Sequence, residues 1–234
     1  MRFSQTFYRT AAVCSLISAV TTLMLIFLPE FYAPAPDFAG RMHRVIDPYY
    51  RLRSWVYLIH PFLVLMAALG IGMQIRRVSS TATVVGLLGF TLWAFTEAGQ
   101  QTLTLFAFDR WRLAWLAGDE ALRAGMPTLT ILYDGLWDAM YFLLLLGFAI
   151  GNATFGAVLI RDRGLTRIVG AFLLAAFGLT FFANIASELR WFVLPEPFAS
   201  LLYPAIQPLG RTLIGVWLWR GAASDAMTER AVGH

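Results

Sequence analysis

The sequence predicts an all-α integral membrane protein, a bundle of six transmembrane helices that forms a single domain over residues 1–234. Hydrophobic residues make up 59% of the chain and charged residues only 14%, whereas soluble domains are usually about 25% charged. The mean hydropathy is +0.65. Six apolar segments reach or approach the roughly 20 residues that a transmembrane helix needs, and they leave no room for a separate soluble domain.

The predicted spans alternate with short polar connections. The first is expected to remain as a helix, because its apolar run is long for a signal peptide. Two connections, 38–49 and 109–126, carry hydrophobic residues at helical spacing between charged ones, which predicts short amphipathic helices in the outer loops. The six spans are predicted at about 11–28, 55–75, 78–108, 130–160, 168–187 and 200–219.

The basic residues bear on both chemistry and orientation. All 18 are arginine, which excludes Schiff-base chemistry because the lysine amine is absent. They lie in connections rather than on one face, so nucleic acid is not expected as a partner. The two termini and the two connections predicted on their side hold nine arginines and three acidic residues. The three connections on the other side hold eight arginines and eight acidic residues. The short turns at 76–81 and 161–166 favour placing both termini in the cytoplasm.

Polar residues inside the spans are the default candidates for function, because they are costly in lipid. Several are spaced four apart, so both members of a pair share one helix face, and in lipid these faces are expected to turn toward one another. They predict a pocket that opens to the outside among helices two to six. The candidates for the pocket or for ion pairs are His60, Glu97, Gln101, Asp134, Asp138, Tyr141, Asn184, Glu188, Gln207 and Arg211.

The expected depth of these residues follows from the helical rise of about 1.5 Å per residue. Measured from the inner arginines, the acids fall near the outer rim and His60 just beneath them, whereas Arg211 falls near the middle of the bilayer. An arginine at that depth should be paired, and Glu97 or Asp138 is the expected partner. The rim acids could also be hydrated helix ends, and this alternative stays open.

Most cofactor chemistry lacks a signal in the sequence. His60, Glu97, Asp138 and Glu188 are residue types that bind metals, but the chain has no Glu-x-x-His pair and no histidine-rich spacing, so no metal is predicted. Haem would need a second histidine within the spans. Cys14 lies in an apolar run, and neither a Gly-x-Ser-x-Gly motif nor a phosphate-binding loop is present. No cofactor is therefore predicted.

Three stretches in the last 85 or so residues carry a resemblance to a known family. They are GAVLIR at 156–161, GLTRIVG at 164–170 and GVWLWRG at 215–221. In these stretches the chain resembles a large family of six-helix bacterial membrane proteins whose function is unknown. The resemblance implies the architecture and assigns no catalytic residue.

Three functions remain open from the sequence. The first is a non-catalytic protein of the bacterial inner membrane, either a subunit of a membrane assembly or a binder of a lipid-like ligand. The second is an intramembrane acid–base enzyme, of the isomerase or cyclase type, that acts on an isoprenoid or sterol-like lipid. The third is a proton- or cation-coupled transporter. The expected partners are membrane lipids, with other membrane subunits or further copies of the chain as additional candidates.

Overall fold

A computed structural model describes residues 4–186, 189–191 and 205–221. The described part of the chain is helical and contains no strand. Two short 3-10 turns occur at Leu28–Phe31 and Arg44–Ile46, and two π-helical segments occur at Thr104–Phe108 and Phe181–Ile185. Residues 205–221 form a further helix. The α-helices are α1 (Gln5–Phe27), α2 (Phe38–His43), α3 (Pro48–Ile75), α4 (Ser80–Leu103), α5 (Asp109–Leu116), α6 (Glu120–Leu159) and α7 (Gly164–Thr180).

Five helical segments of the described chain are long and apolar enough to cross a membrane, and each overlaps one of the first five predicted spans. The helix at 205–221 overlaps the predicted sixth span, whose first residues lie outside the described part. The five segments are Gln5–Phe31, Pro48–Ile75, Ser80–Leu116, Glu120–Leu159 and Gly164–Ile185.

Local capping sets where the helices begin. The side chain of Asp47 accepts hydrogen bonds from the backbone N–H groups of Tyr49 and Tyr50, and Pro48 occupies the first turn of α3. Both features favour a helix start. Asp119 caps α6 in the same way through the N–H of Leu122 at 2.9 Å. Two long helices therefore start several residues before their apolar runs.

The connection at 109–126 differs from the prediction of a separate surface helix. The chain passes from α4 through the first π-helical segment directly into α5, so residues 109–116 continue the same long helix. The break falls only at Ala117–Asp119, where Gly118 has a φ of 94°, which glycine adopts at no steric cost. Residues from 120 onward already belong to α6. In the 38–49 connection, α2 is a separate short helix, as predicted.

Neighbouring helices pack in the order α1, α3, α4, α6, α7. The 205–221 helix packs against both α1 and α7: Ser15 donates to the carbonyl of Arg211 at 2.7 Å, and Trp217 donates to Thr166 at 3.0 Å. The guanidinium of Arg9 lies 5.5 Å from the ring centroid of Trp219. The start of α1 and the end of this helix therefore meet at the same end of the bundle.

Glycines bring α4 and α6 into backbone contact. A Cβ added at Gly89 would lie 2.6 Å from the backbone N of Gly151 and 2.8 Å from the carbonyl oxygen of Gly147. Small residues permit this close approach between helices. The contact fixes Trp93, one turn further along α4, against Phe148 of α6, with the two rings 5.8 Å apart.

A small hydrophobic cluster covers one end of the bundle. Met42 of α2, Phe108 at the end of the first π-helical segment and Met126 of α6 are fully buried against one another. We call α2, α5 and the first turns of α6 the cap. With 40 residues, α6 is about 60 Å long at 1.5 Å per residue, roughly twice the thickness of a bilayer core. The cap therefore extends the bundle beyond the length that a membrane needs.

Candidate functional site

A cavity of about 720 Å³ lies between the cap and the helical bundle. Its walls come from α1, α3, α4, α6, the cap and the 205–221 helix. Eight of the ten sequence-predicted site residues line it, so the structure brings most of the polar helix faces together. These eight are His60, Glu97, Gln101, Asp134, Asp138, Tyr141, Gln207 and Arg211.

The other two predicted residues lie elsewhere. Asn184 belongs to the second π-helical segment and does not line the cavity. Glu188 lies outside the described residues.

Arginines concentrate where the cavity meets the cap. Arg41 of α2 donates from two nitrogens to the two carboxylate oxygens of Asp134, with the Nη1–Oδ2 contact at 2.8 Å. The hydrogen bonds with Asp134 raise the pKa of the Arg41 guanidinium above its ordinary value, so this side chain stays charged. Arg112 donates to Asp109 at 3.0 Å and to the hydroxyl of Tyr50 at 2.8 Å.

Two further arginines line the cavity without an ion pair to any residue that the structure describes. Arg53 of α3 contacts the carbonyl of Leu25 and the hydroxyl of Tyr57, each at 3.4 Å, and its guanidinium lies 4.8 Å from the Tyr57 ring centroid. Arg44 faces the ring of Tyr32 at 5.7 Å, and its Nε is buried without a hydrogen-bond partner. Both cations are half-buried, and therefore provide positive charge that a ligand can use.

The inner end of the cavity contains His60 and Arg211. The Nδ1 of His60 lies 2.7 Å from Oγ1 of Thr21, and its ring packs edge-on against Trp93. The guanidinium of Arg211 lies 5.9 Å from the Trp93 centroid and 3.5 Å from Oε1 of Gln207. It is close enough to interact electrostatically with both His60 and Glu97.

The expected ion pair of Arg211 with Glu97 or Asp138 is not formed, since neither carboxylate is within 4.0 Å of it in the described structure. Arg211 extends instead toward Trp93 and Gln207. Glu97 and Gln101 are 94% and 93% buried, yet no described residue hydrogen-bonds to the side chain of either. Two polar side chains thus line the cavity without satisfied hydrogen bonds.

Part of the cavity lining is apolar and aromatic. Trp137 and Tyr141 stack with their centroids 5.5 Å apart, and Phe148 lies a further two turns along α6. The aliphatic contribution comes from Leu25, Ile26, Leu144 and Leu145. A cavity with cationic and apolar walls favours an amphiphilic ligand over a small polar solute.

Sequence reasoning missed four arginines as site residues: Arg41, Arg44, Arg53 and Arg112. All four were counted with the charges of the connections, although Arg53 lies on α3 because Asp47 and Pro48 start that helix early. The signal that could have revealed it is the four-residue spacing of Arg53 and Tyr57, which puts both on the same face. Residues 4–186, 189–191 and 205–221 contain no cluster of histidine, cysteine or acidic residues suited to a metal ion.

The fold and the cavity together define a helical protein with membrane-length apolar helices and an amphiphilic pocket. Comparison with protein-family models, curated proteins and solved structures finds no match. The resemblance to the six-helix bacterial family therefore stays a prediction.

Proposed function

We propose that the protein binds an anionic amphiphile, with the anionic group at the cavity arginines and the apolar part along the α6 wall. One observation carries the proposal: five arginines and three acids line a single cavity that also has an aromatic and aliphatic wall. Arg44 and Arg53 form no ion pair with a described residue. Half-buried cations gain from a charged partner, and guanidinium groups match phosphate and carboxylate geometry.

The proposal includes the location of the protein. We place it in a bacterial inner membrane with six spans, both termini in the cytoplasm and the cap on the outer side, so that the cavity opens outward. The arginines of the short turns at 76–81 and 161–166 support this orientation. Membrane lipids then supply the nearest source of anionic amphiphiles. Assembly with other membrane subunits or with further copies of the chain stays a prediction, as does coupled transport of a proton or cation.

A binding experiment tests the proposed function directly. The protein is reconstituted in phosphatidylcholine nanodiscs and titrated with dodecyl phosphate, dodecyl glucoside and dodecyltrimethylammonium, three probes with the same tail. Dodecyl phosphate is expected to bind and to raise the unfolding temperature. Arg53→Gln should weaken its binding at least about tenfold, since hydrogen bonds to charged groups contribute about 1.5–3 kcal/mol.

The matched control is Arg110→Gln, because Arg110 is exposed on the cap and does not line the cavity. Its affinity for dodecyl phosphate should stay within about twofold of wild type, since an exposed charge contributes little. Equal affinity of wild type for the glucoside and the phosphate would show that the arginines select no anion, and the proposal would then be wrong.

A second candidate function is acid–base catalysis on an isoprenoid or sterol-like lipid. It is favoured by one observation: Glu97 and His60 both line the cavity next to the apolar wall. In such a reaction Glu97 would give a proton to one alkene carbon and His60 would take one from a neighbouring carbon, so that the double bond moves with no change in composition. Product analysis after incubation with an unsaturated sterol tests this. If the wild type converts the sterol and Glu97→Gln does not, the protein is an enzyme that uses Glu97. If the sterol binds without being converted, the protein is a non-catalytic binder.

A further inference from the structure

The middle of the cavity holds two polar side chains whose hydrogen bonds the protein leaves unmade. Glu97 and Gln101 are 6% and 7% exposed and lie one turn apart on the cavity face of α4. Neither has a hydrogen-bond partner among the described residues. Neither has a polar atom sealed in by protein, so their polar atoms reach the cavity space. Helix packing has thus placed a carboxyl group and a carboxamide where only a cavity occupant can satisfy them.

His60 lines the same space and adds a third polar side chain to it. The hydroxyl of Thr21 has a single hydrogen, and it lies 3.2 Å and 3.1 Å from the carbonyls of Ile17 and Ser18. When it donates to these carbonyls, its oxygen accepts from Nδ1 of His60 at 2.7 Å. In that arrangement the ring proton is on Nδ1 and Nε2 is an acceptor. His60 is 3% exposed and lines the cavity.

Glu97 and Gln101 share the cavity with Arg53. Tyr57 follows Arg53 by one turn of α3, and its side chain lies within electrostatic range of both Arg53 and Glu97. An amphiphile whose phosphate is held at Arg53 therefore extends into the same space that Glu97 and Gln101 line.

A plain alkyl chain beside Glu97 and Gln101 would bury their polar side chains without hydrogen bonds. Leaving a buried polar group unsatisfied costs about 1–3 kcal/mol, and sites built to hydrogen-bond a hydroxyl or amine strongly reject analogues that lack it. Water can satisfy these groups when no ligand is bound, but an entering tail displaces it. A ligand that fills this part of the cavity must therefore carry a hydrogen-bond donor for its binding to be favourable.

We propose that the anionic amphiphile carries a hydroxyl or protonated amine a few atoms from its anionic group, and that Glu97 and Gln101 receive this donor. The proposal rests on the proposed function, because it places the anionic group at Arg53. It adds the chemical class of the ligand: an anionic amphiphile with a hydrogen-bond donor close to its headgroup, rather than a simple fatty or alkyl anion.

The test compares three probes that differ at one carbon: dodecyl phosphate, 3-hydroxydodecyl phosphate and 3-aminododecyl phosphate. Wild-type protein in phosphatidylcholine nanodiscs should bind at least one of the two substituted phosphates about tenfold more tightly than dodecyl phosphate. In Glu97→Leu this preference should disappear while dodecyl phosphate still binds. Glu120→Leu is the matched control, since Glu120 is exposed and lies outside the cavity, and it should keep the wild-type preference.

Gln101→Leu gives an independent variant if Glu97→Leu does not fold, and it should reduce the same preference. The outcomes separate the two proposals. If no phosphate binds wild type, the proposed function is wrong. If all three phosphates bind with equal affinity, the anion site stands, Glu97 and Gln101 serve only as hydrated groups, and this inference is overturned.

Discussion

Arg41 and Asp134 join the cap to α6 through a two-point ion pair. Their side chains remain 33% and 42% exposed, so water screens the attraction. Exposed pairs contribute about 0.2–1 kcal/mol. We expect Arg41→Gln to lower the free energy of unfolding by no more than about 1 kcal/mol. A double-mutant cycle with Asp134→Asn, read by thermal unfolding in detergent, measures the coupling, and a loss several times larger would show that the pair holds the cap in place by itself.

The neighbouring pair of Asp109 and Arg112 should behave differently. Their side chains are only 8% and 5% exposed and lie 3.0 Å apart. Removing one partner of a buried pair leaves an uncompensated charge and costs about 3–5 kcal/mol. We expect Asp109→Leu to lose stability on that scale, and Asp109→Leu combined with Arg112→Met to regain most of it. Thermal unfolding of the single and double variants measures this, and a double variant no more stable than the single one would contradict it.

The glycine contact between α4 and α6 leads to a third prediction, which concerns the stability of the fold. Gly89→Ala places a methyl group 2.6 Å from the backbone of Gly151, and forcing extra atoms into a packed contact costs about 1–3 kcal/mol. The substitution should also shift Trp93 and weaken probe binding in the cavity. Gly135→Ala on α6 is the control, because nothing lies within 4 Å of a Cβ added there. Equal unfolding temperatures for the two variants would show that the helices separate at no cost.

The sequence predicted the long helices because each needs a continuous apolar run, which can be read without knowing its neighbours. It placed several helix starts too late, because Asp47 and Asp119 begin helices through hydrogen bonds that hydropathy does not register. The continuous path from α4 into α5 depends on a π-helical segment that has no pattern of its own in the sequence.

The cavity was predicted in part for a similar reason. The spacing of Glu97 with Gln101, and of Gln207 with Arg211, determines a shared helix face, and lipid leaves such faces only the interior. Spacing does not determine which face meets which across different helices. Arg112 of the cap, and Arg44 in the turn that follows α2, enter the cavity because the cap folds back over the bundle, around the buried side chain of Met42. That long-range packing joins parts of the chain far apart in sequence.

The proposed orientation can be tested with the chain's single cysteine, Cys14, replaced by alanine. Arg77 lies in the turn between α3 and α4, and Arg110 lies on the cap; both are exposed. We expect Arg110→Cys to react with a membrane-impermeant maleimide in intact spheroplasts, because the cap is placed outside. Arg77→Cys should react only after the membrane is permeabilised, since positively charged turns stay in the cytoplasm. Arg163→Cys, in the turn before α7, should follow Arg77→Cys because both turns lie at the same end of the bundle. The reverse labelling pattern would invert the orientation and place the cavity mouth in the cytoplasm, whereas labelling of all three sites in intact cells would show that these helices do not cross the membrane.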